Sequence, residues 1–369
     1  MARPSTRRTP VAVPADGQVR PAVRDFTGGA VGHVIEWDVR PVYDFLFSLS
    51  NDAGSTEDLP AEDRRWLKEA RAAIPEAHRE TLRRVAESDL SVHLGTFVVE
   101  RRNLATVDEL VDEIEAAGPA TLLRSVFTEA VAAHPAAAPL LERVLDGDVS
   151  AIGELEAALP DWKKKDRLAE LKDPAATHAS IVGLARAWAE QFRPIEERIR
   201  GILVRDYDLR AGDRSTLAGP DLIERTTGGV RWLPEAGIRR VILAPSYFSR
   251  PYNFLLAGRD WRFFGYPVAD DALDLLDPLA PPLPVLRLHR ALGDGTRLRI
   301  LKLLAEHDLY LTEIAQQLDL SKPTIKHHLT QLRVAGLVTV VESGSVMYYS
   351  LRRDRLDDAS LDLKRFLVG

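Results

Sequence analysis

The chain has 369 residues, of which 28% are charged and 45% hydrophobic, a length and composition that suit two packed domains and exclude a disordered protein. Zero cysteines exclude disulfides, thiolate nucleophiles, iron–sulfur clusters and cysteine-bound zinc. The net charge of −6 is uneven: from Val285 onward 13 Lys and Arg face 10 Asp and Glu, whereas the preceding residues carry 36 against 45, so a polyanion is expected to meet only the carboxy-terminal segment.

Residues 1–25 contain Pro4, Pro10, Pro14, Pro21 and five arginines with no periodic apolar pattern, and are expected to form a disordered arm. Arg7–Arg8 is followed by Thr9–Pro10–Val11 instead of an apolar stretch, and no apolar run reaches the roughly 18 residues of a membrane span. A cytoplasmic protein with no membrane partner is expected. Val34–Val39 alternates like a strand, and Val42–Leu49 reads as a helix. The helical stretch that follows is cut at Pro60, Pro75, Gly118–Pro119, Pro135, Gly147, Pro160 and Pro174, because proline ends or restarts helices. The strongest helix is predicted over Ala175–Arg210, with Ile181, Leu184, Trp188, Phe192, Ile195, Ile199 and Ile202 on one face and a bend at Pro194.

From Leu222 to Val268 the pattern turns to strands: Val230–Leu233 after Gly228–Gly229, Arg240–Ala244, and a hairpin of Phe254–Leu256 and Trp261–Phe264. Residues 247–266 hold eight of the 25 aromatics of the chain. Residues 26–276 are therefore expected to form one α+β domain. Prolines then make a linker over 277–284, and a second domain over 285–369.

That last segment carries the most information. A first helix is marked by Val285, Leu288 and Leu292, and Asp294 caps a second, Thr296–Glu306. Thr312 is expected to cap a third, Glu313–Leu318, and Ser321 a fourth, Lys322–Val334, with Pro323 in its first turn and Ala335–Gly336 at its end. Leu337–Val341 and Val346–Leu351 make a hairpin. Helices followed by such a hairpin form a winged helix-turn-helix, so the fold class is α+β, mostly helical, with an N-terminal α+β domain before a C-terminal winged helix. The fourth helix turns Ile325, Leu329 and Leu332 inward and leaves Ser321, Lys322, Thr324, Lys326, His327, Thr330 and Gln331 as donors and acceptors for DNA. The wing residues Ser343 and Ser345, and Arg352 after it, complete the expected contact set.

Leu292–Leu301 resembles the opening of the ArsR/SmtB family of winged-helix regulators, with Gly295 where proline is commoner. Ser321–Leu329, with Leu332 and Ala335–Val338, resembles their recognition helix and exit, and Tyr348–Leu351 their second wing strand. The resemblance covers about 80 residues. It implies a homodimer, a double-stranded DNA operator and repression relieved by a small-molecule inducer. Two departures stand out. The wing tip Glu342–Ser345 lacks basic residues. The metal positions of the family also lack support, because there is no cysteine and no histidine over 354–369. His328 matches a histidine of the motif and is expected to be a buried hydrogen-bonding residue. The amino-terminal region is similar to a domain of unknown function found fused to such winged helices.

The expected function is a ligand-responsive transcriptional regulator, not an enzyme, with no cofactor and no metal. Two alternatives stand beside it: an enzyme localised by its winged helix, and an interaction scaffold. A repressor needs a ligand that distinguishes two states. With no metal set in the winged helix, the inducer is expected at the aromatic sheet, lined by Tyr247, Tyr252, Trp261, Phe263 and Phe264, with Arg250, Arg259 or Arg262 fixing a polar end.

Overall fold

The computed structural model describes residues 33–55, 58–164, 167–273, 282–343 and 346–368, excluding the side chains of 163–164, 342–343, 346–347, 354 and 357–360. The expected arm and residues 277–281 of the expected linker lie outside this set.

The body is mostly helical, and proline sets its punctuation. Pro60 and Pro75 stand at the N-caps of helices Ala61–Ala73 and Glu76–Glu87. Gly118, at φ 72°, kinks Val107–Val126 ahead of Pro119. The longest helix, Pro174–Leu209, starts where Asp173 accepts a hydrogen bond from the Ala176 N–H at 2.9 Å, and continues through Pro194. Its apolar stripe is core: Ile181, Leu184, Trp188, Phe192, Ile199 and Ile202 are all buried.

One sheet has the order β1(Val34–Trp37), β3(Arg240–Ser246), β5(Trp261–Pro267), β4(Phe254–Ala257), parallel except for the β4–β5 hairpin. Both faces are covered. Ile242, Ala244 and Phe263 pack into the helical body, while Val241, Leu243, Phe264 and Tyr266 pack into the core of the winged segment. This two-sided burial explains the nearly continuous apolar runs of these strands. Asp44 is buried against this sheet, accepting hydrogen bonds from the Ser246 hydroxyl at 2.7 Å and the Phe248 N–H at 2.8 Å.

The second sheet has the order β2(Val230–Trp232), β7(Val338–Ser343), β8(Val346–Leu351), β6(Leu309–Tyr310). β7 and β8 form the expected wing hairpin. β2 pairs parallel to β7, with Val230 opposite Val340, which the sequence pattern did not predict. The segments expected as a regulatory domain and a winged helix thus share a sheet and a core, and His33–Gly369 forms one compact unit. The first winged helix spans Leu283–Leu292, so Leu283 and Pro284 belong to its first turn and not to a linker, proline being tolerated there.

Candidate nucleic-acid interface

The second winged helix, Gly295–Leu304, is capped as expected by Asp294, which accepts from the Arg297 N–H at 2.9 Å. The third, Leu311–Leu318, starts earlier than expected. Its N-cap is Tyr310 and not Thr312, because the Glu313 carboxylate accepts from the Tyr310 N–H at 2.9 Å. The fourth runs over Lys322–Val334, and Ser321 accepts from the Thr324 N–H at 3.3 Å. Gly336, at φ 74°, ends it in the left-handed region that glycine enters freely. Ile325, Leu329 and Leu332 are buried, so this helix has one fixed face.

The opposite face is open. Ser321, Lys322, Thr324, Lys326 and His327 are exposed, while Thr330 and Gln331 are half-buried at its margins. All three hydroxyl residues have local partners: Ser321 and Thr324 share a hydrogen bond of 2.7 Å within the cap. The Thr330 hydroxyl donates back to the Lys326 carbonyl at 2.8 Å. At about 100° per residue, Thr324, His327 and Gln331 project outward, while Lys322, Lys326 and Arg333 lie on the flank toward the body. On that flank the Lys326 ammonium acts against burial and Asp89, the two influences that raise the Asp52 carboxyl above its usual range.

Other expected residues are placed differently. Arg352 is half-buried after β8, and its N–H donates to the Leu337 carbonyl at 2.9 Å. Ser343 ends β7 opposite Val346, with its side chain outside the described set, and Ser345 lies outside the described residues. His328 departs from its expected role. Among the described residues its Nδ1 has no hydrogen-bond partner; it lies 3.9 Å from an Asp294 oxygen, and desolvation pushes its pKa down.

The aromatic set expected to line a ligand pocket is core packing. Tyr247, Trp261, Phe263 and Phe264 are buried and Tyr252 is half-buried, because helices and the winged segment cover both faces of their sheet. The Tyr247 hydroxyl donates to Asp63. A cavity of about 180 Å³ opens elsewhere, at the carboxy-terminal turn of the recognition helix, with Arg333, Arg287, Arg250, Arg225 and Arg210 in its wall. Sequence reasoning offered Arg250 as a polar end of the aromatic pocket but missed the other four arginines, which come from separate parts of the chain and form no motif. Among the described residues no group of three or more His, Cys, Asp or Glu could hold a metal ion, and no helix is long and apolar enough to cross a membrane.

Comparison with known proteins agrees with this geometry. Residues 294–340 match the family model of the bacterial regulatory proteins of the arsR family. The transcriptional repressor SdpR of Bacillus subtilis is 39% identical over 70 residues, covering 19% of this chain and 78% of that protein. The chain belongs to the ArsR family. The HTH-type transcriptional regulator KmtR of Mycobacterium tuberculosis is 31% identical over 87 residues, 22% of this chain and 67% of that protein. These likenesses concern the carboxy-terminal part of this ArsR-family chain, and the larger amino-terminal part is not assigned by them.

Proposed function

We propose that this chain is a sequence-specific transcriptional repressor that binds double-stranded operator DNA as a cytoplasmic homodimer and is released by a small-molecule inducer. The observation that carries the reading is the two-faced recognition helix, with Ile325, Leu329 and Leu332 buried and Lys322, Thr324, Lys326 and His327 exposed near its N-terminus. A helix enters the major groove with such an open, donor-bearing face. Thr330 and Gln331 extend the base-reading surface. The Ser321 cap, Ser343, Ser345 and Arg352 meet phosphates beside it.

Dimerisation has its own support. The last helix, Arg353–Val368, packs against the first winged helix and leaves Leu356, Leu361, Phe366, Leu367 and Val368 exposed. Exposed apolar side chains on this helix suit a second copy, which sets two recognition helices on one side of DNA. Leu288 of the first winged helix is fully buried within its own subunit, so the reading rests on the exposed side chains of the last helix.

The test is capture of genomic fragments by the full-length protein, followed by sequencing. Enriched fragments are expected to share a twofold-symmetric motif whose half-sites lie about 10–10.5 base pairs apart, or a multiple of that. Recovery with no sequence in common overturns the reading.

A further inference from the structure

The arginine-lined cavity is not accounted for by the DNA-binding reading. Arg210 pairs with Asp206 at 2.8 Å and Arg225 with Asp213 at 3.4 Å. Arg250 pairs with Asp270. Arg287 pairs with Asp270 at 3.0 Å and with Asp58. Four carboxylates thus pair with four of the five guanidinium groups. Arg333 is the fifth: among the described residues it has no ion pair and no side-chain hydrogen bond, and it is half-buried. Burial pushes its pKa below the usual arginine range, with only the phenols of Tyr349 and Tyr252 acting against that. A half-buried guanidinium with no counter-charge beside it is a ready partner for an anion.

A second observation points the same way. Thr226 lines the same cavity, is 2% exposed, and among the described residues its hydroxyl has no hydrogen-bond partner. Buried hydroxyls ordinarily have one. Arg250, 1% exposed, is fixed in the wall by a 3.0 Å hydrogen bond to the Asp58 carbonyl, so this part of the site is preorganised. Asp270, the lining carboxylate, is already bound to Arg250 and Arg287. The volume of about 180 Å³ exceeds several times the roughly 30 Å³ share of one water.

We propose that this cavity is a binding site for a small dianion of the size of a short-chain phosphate ester, held by Arg333 and the Thr226 hydroxyl and regulating the recognition helix. The coupling is direct. Arg333 is in the last turn of the recognition helix, and Thr226 and Gly228 lead into β2, which is hydrogen-bonded to the wing. Occupancy ties the helix to the body and places negative charge beside the DNA-binding face, so it weakens DNA binding. This regulatory half rests on the DNA-binding reading, whereas the anion site does not.

Calorimetry on the full-length protein without DNA tests the site by itself, with inorganic phosphate, glycerol 3-phosphate and succinate as probes against sodium chloride at equal ionic strength. Saturable binding of glycerol 3-phosphate with a Kd below about 1 mM is expected. Arg333→Gln and Thr226→Val should each weaken it at least tenfold while circular dichroism shows an unchanged fold. If Arg333→Gln does not fold, Thr226→Val alone decides. Tighter binding of succinate assigns a dicarboxylate and overturns the phosphate-ester class. No binding beyond chloride, or equal binding by the folded variants, overturns the site. On a captured fragment, saturating glycerol 3-phosphate should weaken wild-type DNA binding by about fivefold or more and leave Arg333→Gln unaffected. Unchanged or tighter DNA binding overturns the regulatory half. Weaker DNA binding by Arg333→Gln, with no anion bound by the free protein, makes Arg333 a DNA contact and overturns the whole proposal.

Discussion

Trp232→Ala tests whether the wing and the body are one cooperative structure. Trp232 ends β2, is 2% exposed, and belongs to the same apolar cluster as Val340, Tyr349, Leu329 and Leu332 of the winged segment. A tryptophan buries about 150–250 Å², which at about 25 cal/mol per Å² gives an upper bound of about 4–6 kcal/mol. Truncation of buried aromatic residues costs about 3–5 kcal/mol in practice. The indole N–H donates to Glu235 at 3.1 Å, but Arg262 also donates to that carboxylate at 3.0 Å, so its loss leaves no orphaned charge. The edge-on contact with the His33 ring at 4.8 Å is lost as well. We expect a loss of about 3–5 kcal/mol, a large part of the roughly 5–15 kcal/mol that holds a folded domain together. Urea unfolding should show one transition at lower midpoint. Hydrogen exchange by mass spectrometry should show faster exchange in peptides covering both 224–246 and 338–351. Loosening of the body peptides alone, with 338–351 exchanging at the wild-type rate, would refute the shared core.

Three further predictions concern local chemistry. Burial raises the Asp44 carboxyl to about 6, above its ordinary 3.8, so the folded chain binds this proton more tightly than the unfolded chain; the associated stability is full below pH 4 and is lost as pH rises through 6. Asp44→Asn should flatten the fall in stability between pH 4 and 6, a change of up to about 3 kcal/mol at 1.36 kcal/mol per pH unit, and an unchanged pH profile counts against it. Ser321→Ala removes the cap of the recognition helix and should cost about 1 kcal/mol by denaturant unfolding, whereas Ser321→Gly should cost only a few tenths. Leu361→Glu with Phe366→Glu should convert the proposed dimer to a monomer in sedimentation at micromolar concentration, and a wild-type mass equal to one chain contradicts that assembly.

The recognition helix was legible because each boundary has a local chemical cause: Ser321 as cap, Pro323 in the first turn, Gly336 at the exit. The third helix starts ahead of Thr312 because the Glu313 carboxylate reaches back to the Tyr310 N–H, a contact that no cap residue type at 310 announces. Hairpin partners β4 and β5 are neighbours in the chain, so their pairing could be read. Pairing between Val230 and Val340 joins distant segments in parallel, and no local pattern encodes it. The aromatic run marked a real concentration of apolar area, but periodicity does not say whether rings fill a core or line a cavity. Covering both faces of the sheet settles it as core. The arginine cavity was invisible for the opposite reason, since its residues share no spacing.

The most direct test of the central claim compares a captured genomic fragment with random DNA of equal length, in fixed salt, for wild type and for Lys326→Ala with His327→Ala. Both side chains are exposed on the recognition helix, and a good base contact contributes about 1–3 kcal/mol of discrimination. Wild type should prefer the captured fragment by about a thousandfold or more, and the double variant should lose at least tenfold of that preference while retaining its affinity for random DNA to within about tenfold. An unchanged preference in the double variant would contradict the claim that this helix reads DNA sequence.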